Sequence, residues 1–285
     1  MNALSVRGAG KVRAAGAIAV AALALLLGSC LLSPGKFVSS LDLRRDGRFT
    51  FIYSGEISLL ALSKLAQMGA DKPFKEERCR LNEEIERACT PRELAEQRKA
   101  WAENRAADAE KRRKDAEQMK VLLGGIDPSS PQAAEEFASR LRRQAGWKSV
   151  VAKSDGLFVV EFALSGRLDH DFAFPTVERF PMANSFIQLT RRADGSVRVE
   201  APGFFSGGSG ASSFSSLMAL GMASEKGGAK SPMPLPDGTF TVTTDGSILA
   251  NNTDEGPQSD PSGQRLSWTV NVRSQSAPTA LVKLN

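Results

Sequence analysis

Several stretches of the chain alternate apolar and polar residues with a period of two, the pattern of half-buried β-strands. Lys36 to Leu43 and Arg48 to Ser54 carry β-forming residues on either side of Arg45-Asp46-Gly47, which reads as a hairpin turn. The arrangement recurs where Lys148 to Lys153 and Leu157 to Leu164 flank Ser154-Asp155-Gly156, and where Ser185 to Arg192 and Ser196 to Ala201 flank Asp194-Gly195. Arg167 to Phe174 reads as a further strand. Thr239 to Thr244, Ser247 to Ala250, Arg265 to Val272 and Thr279 to Leu284 complete a sheet of about seven to ten strands.

Helical periodicity interrupts this pattern after the first hairpin. In Glu56 to Met68, the residues Leu59, Leu62, Leu65 and Met68 fall at three-residue steps and predict an amphipathic helix ended by Gly69. Thr90-Pro91-Arg92-Glu93 combines a capping threonine, proline at the first helical position and a glutamate three residues after the cap. From there to about Leu123 the chain is rich in Ala, Glu, Lys and Arg, with Asp108/Arg112 and Glu110/Lys114 spaced for i,i+4 pairing, until Gly124-Gly125 stops it. Such a helix would be ~50 Å long at 1.5 Å per residue. Its apolar residues Leu94, Trp101, Ala109 and Met119 keep no heptad, so it reads as a charged arm beside the sheet, with partner docking as the alternative. A second helix, capped by Ser130 and opened by Pro131, aligns Phe137 and Leu141 on one face up to Gly146. The predicted class is α+β: one antiparallel-rich β domain over 37–285, with a helical insertion over 75–146 that includes one long charged helix.

The first residues follow a different rule. A basic start (Arg7, Lys11, Arg13) leads into an apolar run from Ala14 to Leu27 that stops at Gly28-Ser29-Cys30, the layout of a secretory signal over residues 1–29. That run would span only ~21 Å as a helix, short of the ~30 Å hydrocarbon core of a bilayer. Leu27-Gly28-Ser29-Cys30 resembles the lipobox of bacterial lipoproteins, which implies cleavage before Cys30 and acylation of its thiol. Residues 30–36 would then be a lipidated tether. Leu31 is not the aspartate that retains such proteins at the inner membrane, so the expected address is the outer membrane, facing the periplasm.

Export changes the meaning of charge and cysteine content. The formal net charge of +5 loses Arg7, Lys11 and Arg13 with the signal and falls to about +2, which removes the compositional support for nucleic-acid binding. With Cys30 lipidated, Cys79 and Cys89 remain as a disulfide candidate in an oxidising compartment, worth roughly 2 to 3 kcal/mol in the chain-entropy model. Their spacing is not C-x-x-C and no histidine lies nearby, which disfavours a redox or metal pair.

Gly203 to Ser231 is rich in Gly and Ser, as a mobile loop would be, yet it carries Phe204, Phe205, Phe214, Leu217, Met218, Leu220 and Met222. Two readings stand for it: a plain flexible loop, or a loop that touches lipid or covers an apolar cavity. Chemistry is otherwise sparse. The sole histidine, His170, lies within Leu168-Asp169-His170-Asp171-Phe172, where strand alternation would set it on the face opposite the two aspartates and half-bury it. The chain has no G-x-S-x-G, Walker A, G-x-G-x-x-G or H-E-x-x-H pattern. No metal or cofactor is expected, and an enzyme has no positive support.

The lipobox at Cys30, the hairpin Ser40-Leu41-Asp42-Leu43-Arg44-Arg45-Asp46-Gly47, and the segment Thr241 to Asn252 followed by Leu266-Ser267-Trp268-Thr269-Val270 together resemble the LppM-type lipoproteins, and the whole resembles lipoproteins of alphaproteobacteria. The charged helix, the Cys79/Cys89 pair and the Ser/Gly loop depart from that pattern. The expected function is a membrane-anchored, non-enzymatic envelope lipoprotein whose β-rich domain binds a lipid or apolar ligand, with the membrane as partner through Cys30. The alternatives are an assembly partner docking on an envelope protein through the charged helix, and a hydrolase of envelope polymers using Asp169 and Asp171.

Overall fold

The computed structural model describes residues 32–59, 62, 74–80, 86–178, 184–205 and 234–284. Fourteen strands are assigned among them: β1 Leu32–Leu43, β2 Arg48–Leu59, β3 Cys79–Arg80, β4 Glu86–Arg87, β5 Trp147–Ala152, β6 Leu157–Arg167, β7 Phe172–Phe174, β8 Ile187–Arg191, β9 Ser196–Glu200, β10 Asp237–Thr244, β11 Ser247–Asn251, β12 Gln258–Asp260, β13 Gly263–Val270 and β14 Thr279–Lys283. They form a seven-stranded sheet in the order β12-β13-β10-β1-β2-β6-β5, a five-stranded sheet in the order β11-β14-β9-β8-β7, and the small ribbon β3-β4. All pairings are antiparallel except β1 with β10, which runs parallel from Lys36↔Asp237 to Leu43↔Thr244.

The expected α+β class, with a single sheet and a helical insertion as part of its architecture, is corrected by this arrangement. Among the described residues strands account for 44% and helices for 21%, so the fold is mostly β, and core rings of the two larger sheets meet each other. The physical reason is the lack of an apolar stripe on α1 (Pro91–Leu122), along which Ala116 is a rare buried side chain. A helix polar on every side cannot form a layer against a sheet. Only the shorter helix α2 (Ala133–Arg142) does so, burying Ala133, Phe137, Ala138 and Leu141, with the Phe137 ring 5.2 Å from that of Phe158 on β6.

The hairpins around Arg45-Asp46-Gly47, Ser154-Asp155-Gly156 and Asp194-Gly195 are present. Three boundaries differ from expectation. Strand β1 begins at Leu32, so the tether expected over 30–36 is largely strand. Strand β2 continues through Glu56 to Leu59, where a helix was expected, while 63–68 lie outside the described residues. Arg167 to Phe174 divides into the end of β6, a turn, and the short β7.

On the inner face of the seven-stranded sheet, one row runs Trp268, Phe240, Ser39, Tyr53, Phe162, Trp147 across β13, β10, β1, β2, β6 and β5. Ser39 is the one small residue in this aromatic row, and its buried hydroxyl donates to the Ile52 carbonyl at 3.0 Å. Burying the hydroxyl without that acceptor would be costly.

The two ends of the sandwich differ. At one, short turns join the strands (44–47, 168–171, 192–195, 245–246, 261–262). At the other, where β1 and β10 begin and β2 and β13 end, lie the connections 175–186, 201–236 and 271–278, the start of the excursion that carries α1, and one short turn, 153–156, between β5 and β6. This second end is called the β1 end below.

Candidate functional site

Long connections on a rigid scaffold are where binding residues concentrate, which directs attention to the β1 end. Its geometry starts from β1, whose pairing with β2 shifts register between Pro34 and Phe37. The irregularity is held by Lys36, whose backbone N–H donates to Glu56 Oε2 at 3.0 Å, and by the buried Tyr53, whose hydroxyl donates to the Glu56 carbonyl at 2.8 Å. Burial raises the Tyr53 pKa well above its ordinary value, so the hydroxyl stays a donor.

Against this strand end the chain lays the turn Pro202–Phe204. The Phe204 ring is fully buried and stacks on Phe37, with centroids 4.2 Å apart, and lies 5.5 Å from Phe240 and 6.4 Å from Tyr53. These are the neighbours that surround Ser39, so Phe204 fills the gap that the serine leaves in the aromatic row. Two glycines permit the close approach. A Cβ at Gly203 would sit 2.6 Å from the Phe186 Cα, and one at Gly238 would sit 2.0 Å from the Phe37 carbonyl oxygen. Space between the sheets at this level is thus filled by rings.

The same end gathers the chain's exits. Leu32, two residues beyond Cys30, is buried, and its N–H faces Asn184 Oδ1 at 3.4 Å. The Ser33 hydroxyl donates to the Pro234 carbonyl at 3.5 Å. The connection that departs after Phe205 and returns at Pro234 therefore starts and finishes beside the first residues of β1.

Of the residues singled out from sequence, Phe204 is corrected: it belongs to the core and cannot touch lipid. Phe205 is half-buried beside it. Cys30, Phe214, Leu217, Met218, Leu220 and Met222 lie outside the described residues. Cys79 and Cys89 are joined in a disulfide. Their ribbon docks on the first turns of α1, where Gln97 both accepts from the Glu77 N–H and donates to the Glu77 carbonyl, and Trp101 meets Phe74 edge-on at 6.0 Å. The start of α1 carries the full capping box between Thr90 and Glu93.

Glu93 also takes two hydrogen bonds from the Arg87 guanidinium, and these, followed by those from Thr90, lower its pKa from 4.5 to about 2. A depressed carboxylate pKa means that this junction is fully held above pH 4.5 and loosens as pH falls towards about 2. A carbon NMR titration should place the Glu93 midpoint near 2, and Arg87→Ala should move it up towards 4.5. A wild-type midpoint near 4.5 would contradict the bidentate pair.

His170 is exposed rather than half-buried, because 168–171 is a turn and strand alternation does not apply to it. Its Nδ1 lies 2.6 Å from Asp169 Oδ1, while Asp171 Oδ1 accepts from the Arg191 N–H at 3.0 Å. The hydrogen bond to His170 is the main cause of the lowered Asp169 pKa. The two aspartates are thus engaged separately on an open surface and do not form a carboxylate pair around a cleft. Among the described residues there is no group of three or more His, Cys, Asp or Glu placed to hold a metal, and no helix long and apolar enough to cross a membrane.

Sequence reasoning missed one polar link. The Trp268 indole N–H donates to Asn252 Oδ1 at 2.9 Å, and the same oxygen accepts from the Thr279 N–H at 2.8 Å. Asn252 thereby ties β13 of one sheet to β14 of the other, and brings together two of the segments that carried the LppM-type resemblance.

The sequence matches no family model, and no curated protein matches it. Among solved structures, the chain is similar to the NMR structure of the folded domain of the Mycobacterium tuberculosis LppM protein, at 12% identity and a TM-score of 0.29, with 90% of this chain and 91% of that one covered. The likeness is a weak one to a lipoprotein domain, and it reaches neither the lipobox nor the closeness to alphaproteobacterial lipoproteins read from sequence.

Proposed function

We propose that this chain is a non-enzymatic lipoprotein of the cell envelope, anchored through acyl chains on Cys30 to the periplasmic face of the outer membrane, and that its β1 end works against lipid, with residues 206–233 making apolar contact. One observation carries this reading. The start of β1, two residues from Cys30, is bonded to the very residue at which the connection over 206–233 returns. An anchor at Cys30 therefore holds the base of that apolar-studded connection at the membrane surface. Lipid is then engaged at the end of the sandwich, where that connection leaves and returns.

The test uses the protein from Leu31 onward, without acyl chains, floated with phosphatidylethanolamine/phosphatidylglycerol vesicles. Binding should fall at least about tenfold when 206–233 is replaced by a Gly/Ser linker of equal length, the loss of about 1.4 kcal/mol or more expected if several apolar side chains are removed from lipid. Equal binding by both forms would overturn the role of that segment. A second reading, an assembly partner docked through α1, is favoured by the exposed charged surface of that helix, with ion pairs such as Arg92–Glu96 and Lys114–Glu110 lying along it.

A further inference from the structure

Three neighbouring strands present their ends side by side at the β1 end, in the order β13, β10, β1. Beyond β13, the turn that starts at Asn271 is closed by the Ser274 hydroxyl accepting from the Asn271 N–H at 3.0 Å, and it pushes Val272 and Arg273 outward. Val272 is 63% exposed. Before β10, Leu235 stands between Pro234 and Pro236 and is 46% exposed. Beside it, β1 contributes the exposed Lys36, which pairs with Asp237 in the register. The rim of the sandwich thus carries two apolar tips on adjacent strand ends, with Arg273 following Val272 and the exposed cross-strand pair Lys36 and Asp237 at the Leu235 end.

Exposed apolar side chains are ordinary when scattered over a surface. These two share one edge, and the anchor decides what that edge meets. Leu32 lies two residue steps from Cys30, with Leu31 between them, an extended reach of about 7 Å. A chain acylated at Cys30 cannot lift this edge clear of the bilayer surface by more than roughly one side-chain length. Apolar tips flanked by Lys or Arg suit the boundary between acyl chains and lipid phosphates, because the apolar atoms leave water while the cations stay at the headgroups.

We infer that Leu235 and Val272 form a built lipid-contact rim that docks the β1 end on the leaflet holding the anchor, so that the strands rise away from the membrane and the short-turn end faces the periplasm. The inference rests on the lipoprotein reading above, and differs from it in fixing an orientation through described residues. The outer face of the seven-stranded sheet, with Val38 and Ile52 exposed, then stands out of the membrane plane and remains open on its side.

The experiment uses the full mature chain, purified from membranes and reconstituted in phosphatidylethanolamine/phosphatidylglycerol vesicles. Nitroxide labels are placed at Leu235→Cys, Val272→Cys and, at the short-turn end, Ser262→Cys, under non-reducing conditions with the Cys79–Cys89 bridge verified by mass. Power saturation should show the labels at 235 and 272 relaxed more by oxygen than by a water-soluble nickel chelate, and the label at 262 the reverse. If the chain is acylated and vesicle-bound but all three labels show the aqueous profile, the rim is overturned while the anchor stands. If the purified chain carries no acyl group and does not bind vesicles, both the lipoprotein reading and the rim are overturned.

Discussion

Replacing Phe204 with alanine should destabilise the protein by about 3 to 5 kcal/mol, the range for removing a fully buried phenylalanine without collapse of its site. Collapse is hindered here because the surrounding rings belong to different elements. Phe37 and Tyr53 are held in the seven-stranded sheet, Phe240 on its parallel strand, and Phe186 at the start of the five-stranded sheet, each ring already in contact with others. The hole would remain over Ser39, whose hydroxyl is already committed to Ile52. Against a typical domain stability of about 5 to 15 kcal/mol, the change should lower the melting temperature by roughly 10 °C or more. Urea unfolding of the soluble mature domain provides the value. Phe205→Ala, at a half-buried position, should cost well under half as much, and a loss at Phe204 below about 1 kcal/mol would show that the ring is not the plug described.

Exporting residues 31–285 behind an ordinary cleavable signal should move the protein from the membrane pellet to the soluble periplasmic fraction. Deleting Cys30 along with its signal matters here, since a Cys30→Ser chain could remain uncleaved and be held by its own apolar segment. Each buried acyl methylene contributes about 0.8 kcal/mol, and anchoring by two or more chains exceeds the marginal binding given by one. Removing all of them should reduce membrane partition by more than about two orders of magnitude under a high-salt wash. The rim and residues 206–233 would then account only for the weak residual binding. Retention of the unanchored chain in the washed pellet would show that acylation is not what holds the protein.

Much of the sheet structure was legible because its signals are local. Gly47, Asp155-Gly156 and Gly195 take positive φ at their turns, and the residues beside them alternate cleanly between core and solvent. The parallel pairing of β1 with β10 was not legible, since Lys36 and Asp237 are joined across most of the chain and no periodicity records such a partner. The division into two sheets was hidden for the same reason. The fold class was misjudged because the helical insertion over 75–146 was included in the architecture, whereas a helix without an apolar stripe adds no layer. Phe204 was misread because the Gly/Ser composition that follows it made Pro202–Phe204 look like the start of a loop, although a proline beside a large apolar residue can also close a core. The one cue for its true place was Ser39, a small residue on the inward side of an apolar strand, which implies that something large fills the space above it.

The account depends most on Cys30, and the most direct test is the mass of the N-terminal peptide of the protein extracted from membranes. The predicted result is a peptide that begins at Cys30 and carries a diacylglyceryl thioether. A peptide beginning at another residue, or Cys30 recovered as a free thiol within a longer chain, would contradict the anchor and with it the reading of the β1 end as the surface that meets the membrane.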